Sequence, residues 1–120
     1  MNGFRNKLFA LTAACLTGLP WSSLPARAAS FDCEAAELKP DEKAICGTRS
    51  LNDADVKMAT TFELLAALLP MGARGAMQER QTQWLEERHA CAADADCLKG
   101  AYDTRMKELD ETFKSINRPL

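Results

Sequence analysis

The chain has 120 residues, of which 47% are hydrophobic and 27% charged, and its net charge is −2. A chain of this length makes one small domain, and an acidic balance argues against a nucleic-acid-binding protein. A single histidine and the lack of a glycine-rich phosphate loop leave little material for an active site, so no catalytic residue and no cofactor are expected.

The amino-terminal stretch reads as a cleavable export signal. Arg5 and Lys7 precede an apolar run from Leu8 to Leu19, closed by Pro20 and Trp21, that is too short to span a bilayer. Ala26 and Ala28 supply the small residues that a signal peptidase accepts at its two specificity positions. Cleavage is therefore expected after Ala28, with Ala29 as the second choice. The competing arrangement makes Cys15 a lipid-modified terminus, with Thr12 standing where a lipobox usually has leucine. Residues 1–28 are thus read as the signal and residues 29–120 as the mature domain, periplasmic or secreted and without a transmembrane segment. Removing the signal takes away Arg5, Lys7 and Arg27, three of the 15 Lys and Arg, and none of the 17 Asp and Glu, which leaves −5. An electrostatically steered partner of such a domain is cationic.

Processing also makes the cysteine count even, with Cys33, Cys46, Cys91 and Cys97 remaining. A domain of about 90 residues buries a limited core, and disulfides are a common remedy in oxidising compartments. Three pairings are open. The local one, Cys33 with Cys46 and Cys91 with Cys97, closes short loops flanking helices and is preferred over the crossed alternatives. A four-cysteine zinc site would need Cys-x-x-Cys knuckles that are absent, so no metal is expected.

In the mature chain no segment alternates with period two, and Ala, Leu, Glu, Lys, Met and Arg dominate, which predicts an all-α domain. Cys33 to Glu37 has the composition of a single helical turn. A short helix is expected from Pro40 to Ile45 or Cys46, since proline suits a first turn and Asp41 and Glu42 favour a helix N-terminus. Gly47 ends it. Ser50 to Asp53 reads as a capped start for a second helix, about Leu51 to Leu69, with Leu51, Met58, Phe62, Leu65 and Leu69 on one face. Pro70-Met71-Gly72 stops that helix, and Met71 to Gly75 looks like a helix-hairpin turn with an exposed Arg74. A third helix from about Ala73 to Ala90 or Cys91 carries the stripe Met77, Gln81, Trp84, Arg88 and Cys91. Asp94 caps a fourth, which extends to about Ile116 on Leu98, Ala101, Tyr102, Arg105, Leu109, Phe113 and Ile116, and Asn117-Arg118-Pro119 ends it. The expected architecture is a small disulfide-stapled antiparallel bundle, three long helices plus a short N-terminal one.

Polar residues interrupt three of these stripes. Asp55 lies between Leu51 and Met58, Gln81 and Arg88 flank Trp84, and Arg105 lies between Tyr102 and Leu109. A charge kept from water needs a partner. One interhelical network would satisfy them all, Asp55 accepting from Arg88 or Arg105 and Gln81 meeting what is left; the same groups could instead line a ligand cleft. As catalysts they are poor material. His89 has no nucleophile at a fixed spacing and reads as an ordinary helix residue, and the adjacent carboxylates Glu86-Glu87 and Asp110-Glu111 point in different directions.

Laid end to end, these residues form an ordered pattern: Phe31-Asp32-Cys33, then Glu42-Lys43-Ala44-Ile45-Cys46, Leu51 and Asp55, then Gln81-x-x-Trp84-Leu85-x-x-Arg88-x-x-Cys91, and Cys97-Leu98-x-x-x-Tyr102-x-x-Arg105-x-x-x-Leu109. The pattern resembles the LprI-type family of lysozyme-inhibitor domains from Phe31 to about Leu109. The resemblance implies an exported helical bacterial protein with two local disulfides, some of whose relatives inhibit lysozyme, a cationic host enzyme that cleaves peptidoglycan. Two projections are candidates for blocking such an enzyme. One is the Cys91 to Cys97 loop with Asp94 and Asp96, and the other is the hairpin around Arg74. The rival class is a non-enzymatic periplasmic scaffold that binds another protein or a small ligand through the Asp55, Gln81, Arg88 and Arg105 cluster.

Overall fold

Turn and capping residues cut the chain into four helices in the computed structural model, which describes residues 29–116: α1 (Pro40–Gly47), α2 (Arg49–Leu68), α3 (Met71–Ala90) and α4 (Ala95–Ile116). The expected signal, Cys15 and the Asn117-Arg118-Pro119 stop lie outside the described residues. No strand occurs among the described residues, in keeping with the all-α expectation.

Each helix begins where a backbone donor finds an early partner. Pro40 opens α1, and the Lys39 amide donates to the Glu42 carboxylate at 2.8 Å. The Thr48 carbonyl accepts from Leu51 and Asn52, so the cap of α2 is Thr48, two residues ahead of the Ser50 signal. Pro70 stops α2 by its missing donor, yet its carbonyl accepts from Arg74 at 2.9 Å and starts α3 at once. The expected hairpin at Met71 to Gly75 is therefore the first turn of α3, and the connection shrinks to Leu69-Pro70. Arg74 is half-buried across this junction, with Nη2 donating to the Leu69 carbonyl at 3.0 Å, rather than projecting freely into solvent. Asp94 caps α4 as expected, its Oδ1 accepting the Cys97 amide at 2.9 Å. Cys33 and Glu34 form a turn rather than part of a helix.

The direction of packing follows from which residues meet. Met58 and Asp55 of α2 meet Gln81 and Arg88 of α3, and Trp84 and Gln81 of α3 meet Ala101 and Arg105 of α4, so both neighbouring pairs run antiparallel. α1 lies against α2 and α3. The core comprises Ile45, Leu51, Met58, Leu65, Leu69, Met77, Trp84, Leu98, Tyr102 and Leu109. Trp84 and Tyr102 meet edge to face at its centre, with ring centroids 5.2 Å apart. The Trp84 indole N–H donates to the Ala101 carbonyl at 2.9 Å, so its complete burial leaves no polar atom unpaired. The α4 stripe leaves the core after Leu109. Phe113 and Ile116 are exposed. Phe113, Leu64, Leu68 and Met106 instead line an open apolar groove of about 370 Å³ between α2 and α4.

Both disulfides are local, Cys33–Cys46 over 13 residues and Cys91–Cys97 over 6. The first ties the extended N-terminal segment to α1, and the second closes the α3–α4 junction. Such cross-links act largely on the unfolded chain and gain with loop length. Replacing Cys33 and Cys46 by serine should cost about 3 kcal/mol, and replacing Cys91 and Cys97 about 2 kcal/mol, as read by urea unfolding of the oxidised proteins.

Candidate functional site

The interrupting polar residues separate into two buried clusters instead of one network. The first is centred on Arg88 of α3. Its Nε donates to Asp41 Oδ2 of α1 at 3.0 Å, its Nη1 lies 3.5 Å from Asp55 Oδ1 of α2, and its Nη2 lies 3.9 Å from Glu42. The Tyr102 hydroxyl of α4 donates to Asp55 Oδ1 at 2.8 Å. Asp41, Asp55, Arg88 and Tyr102 are all buried, so one guanidinium and two carboxylates join all four helices in a site that excludes water. The guanidinium also lies over the Phe31 ring at 5.4 Å and the Trp84 ring at 5.8 Å. Burial pushes the Tyr102 hydroxyl far above its ordinary value, and the Asp55 charge beside it adds to the effect. Tyr102 stays protonated and acts as a hydrogen-bond donor.

Arg105 does not reach Asp55. It holds the second cluster, in which Nε donates to Gln81 Oε1 at 2.8 Å, Nη1 to Glu108 at 2.7 Å and Nη2 to the Met77 carbonyl at 3.3 Å. The other Gln81 end, Nε2, faces Met58 Sδ at 3.4 Å. Arg80 covers the cluster by donating to Glu108 at 2.8 Å and to Glu87 at 2.9 Å. Burial alone would raise the Glu108 carboxyl, but the hydrogen bonds from Arg80 and Arg105 hold it below the ordinary range.

Sequence reasoning missed Asp41 and His89. Asp41 carried a reading as an N-terminal helix acid, yet it sits one turn before the buried Ile45 and shares its inward face, a spacing legible in the sequence. His89 Nδ1 lies 2.8 Å from Asp41 Oδ2, and Lys39 Nζ lies 3.1 Å from His89 Nε2. A lysine ammonium can only donate, so this arrangement is met by a neutral imidazole that accepts at Nε2 and donates through Nδ1. Burial raises the Asp41 carboxyl, but the His89 hydrogen bond and the Arg88 charge outweigh it and keep the group below its ordinary value. Asp41 Oδ1 is buried without a hydrogen-bond partner among the described residues. No cluster of three or more His, Cys, Asp or Glu suited to a metal occurs among them.

The surface offers a different set of groups. Cys91 and Cys97 bracket a tight loop in which Ala92 has a positive φ of 48°, a conformation that costs a non-glycine residue roughly 1–2 kcal/mol. Asp94 and Asp96 are exposed on this loop and on the first turn of α4. Beside them, Ser50, Ala54, Asp96, Lys99 and Asp103 line an open groove of about 270 Å³ between α2 and α4.

The fold and the two buried clusters define a disulfide-stapled helical domain whose polar stripe residues hold the helices together. The chain is similar to Lipoprotein LprI of Mycobacterium bovis and of Mycobacterium tuberculosis, with 29% identity over 104 residues that cover 81% of this chain and 49% of each relative. It thus spans about half the length of the curated relatives it matches. No family model and no solved structure matches the chain.

Two outcomes follow from the buried charges. Arg88→Met leaves two buried carboxylates without their cation and should cost about 3–5 kcal/mol in chemical unfolding, whereas Asp94→Ala, the loss of one helix cap, should cost about 1 kcal/mol. Asp41 and Glu108 titrate below their ordinary values of 3.8 and 4.5 in the folded state. Their contribution is therefore complete above about pH 5 and is lost as the pH falls through those values toward the lower folded ones. The urea midpoint should decline across that window, and Asp41→Asn should flatten the decline.

Proposed function

We propose that this domain is an exported, non-enzymatic inhibitor that binds lysozyme through the stapled Cys91–Cys97 loop. The observation that carries the reading is the ordered Gln81, Trp84, Arg88, Cys91, Cys97, Tyr102 and Arg105 pattern, which the chain presents on two packed helices and which underlies its likeness to the LprI-type domains. Three physical features support it. The mature charge of −5 favours encounter with a cationic enzyme. A six-residue disulfide loop is already ordered, so little conformational entropy is lost when it docks. Asp94 and Asp96 place two exposed carboxylates on that rigid projection, suited to the cationic rim of a lysozyme cleft. Arg74, the second sequence candidate, is less suited, since its guanidinium is engaged with the Leu69 carbonyl. The buried Arg88 and Arg105 clusters serve as the frame, and the two disulfides support an oxidising, extracytoplasmic compartment.

The oxidised protein, processed and recovered from the cell envelope, should slow the lysis of bacterial cell walls by animal lysozyme at micromolar concentration. The association rate should fall with added salt. Asp94→Lys combined with Asp96→Lys should weaken inhibition at least ~10-fold, well beyond the loss of about 1 kcal/mol in stability that removal of the Asp94 cap brings and that Asp94→Ala alone reproduces. Absence of inhibition across several lysozyme types would refute the reading, and unchanged inhibition by the double variant would move the binding surface away from this loop.

A further inference from the structure

The Arg88 cluster is out of charge balance. Two fully buried carboxylates, Asp41 and Asp55, face one buried cation, and Glu42 adds a third acid at the edge. His89, the nearest other group able to carry a positive charge, contacts Asp41 rather than Asp55, and Lys39 lies beyond it. Asp55 therefore has only a share of Arg88 at 3.5 Å, the Tyr102 hydroxyl and one further donor. That donor is the backbone nitrogen of Ser30, 2.6 Å from Asp55 Oδ2. A neutral amide contributes a dipole there, while the uncompensated charge calls for a cation.

The segment carrying this nitrogen is held in place independently. Phe31 packs its ring against the Arg88 guanidinium, Ala29 is 4% exposed, and Cys33 is bonded to Cys46 of α1. The sequence around it, Ala26-Arg27-Ala28-Ala29, carries the small residues of a signal-peptidase site, with the scissile bond after Ala28 or Ala29.

We propose that processing by an envelope signal endopeptidase creates the mature terminus at Ala29 or Ser30, and that the new α-ammonium is the missing counter-ion of buried Asp55. Hydrolysis breaks the C–N bond. Water supplies the oxygen of the new carboxylate on the departing leader, and the released amine takes up a proton to become an ammonium. Cleavage after Ala29 puts the charge on the nitrogen that already lies 2.6 Å from Asp55. Cleavage after Ala28 keeps the Ser30 amide on Asp55 and places the ammonium one residue upstream, on the buried Ala29. In either case processing matches the two fully buried carboxylates with two cations, and the precursor is the less stable form.

The full chain, exported and recovered oxidised, tests this directly. Its intact mass should correspond to a start at Ala29 or Ser30, and NMR titration of that amine should place its pKa at least one unit above the ordinary value of about 8. A second version with Gly-Ser-Gly inserted between Ala29 and Ser30 keeps the Ser30 amide and moves the ammonium roughly 10 Å away. Its amine should titrate normally and its Tm should fall by about 5–10 °C. A terminus formed elsewhere, Cys15 included, overturns the proposal. So does an ordinary amine pKa in the natural-start protein, and so does an unchanged Tm in the version with the insertion.

Discussion

The Arg88 guanidinium is the constraint on which the rest of the domain depends. It is buried on α3 between a carboxylate of α1 and a carboxylate of α2, and it is stacked against Phe31 and Trp84. A lone guanidinium in such a site would be costly, so the helices have to meet in the one arrangement that brings both acids to it. Tyr102 adds α4 to the same arrangement through Asp55. Apolar burial supplies the driving force for collapse, while this ion cluster selects one register among the many that leucine and methionine would tolerate.

The second cluster does the same for the other half of the bundle. Arg105 fixes α4 against α3 through Gln81, Glu108 and the Met77 carbonyl, about two helical turns from the first cluster along α3. The two disulfides secure places where these clusters have no reach. One holds the N-terminal segment to α1, and the other holds a junction where Ala92 adopts a left-handed backbone. Outside these clusters the surface carries the exposed Asp94 and Asp96 beside the stapled junction and an apolar groove between α2 and α4.

Residues that carry their information locally were legible in the sequence. Pro40, Asp94 and the local cysteine spacing give their elements directly, because a cap, a missing donor and a short loop are local effects. The interruptions at Asp55, Gln81, Arg88 and Arg105 were legible too, since helical periodicity states which side chains face inward. The two-residue α2–α3 connection was misjudged. Gly72 and Gly75 signal a turn, but the Pro70 carbonyl starts the helix before either is reached.

By itself the sequence determined the all-α class, the four helices and the polar interruptions of their apolar stripes, and it favoured the local staples without fixing them. Only the tertiary structure decided which acid each arginine meets. Asp41 lies 47 residues from Arg88, and helical periodicity specifies the face a residue occupies but not the element that lies opposite. The same reasoning holds for Ser30, an unremarkable residue in an irregular segment until the fold sets its nitrogen 2.6 Å from a buried carboxylate of α2. Pairing across helices is set by the global packing, and the balance of charge inside the core becomes visible only when those pairs are in place.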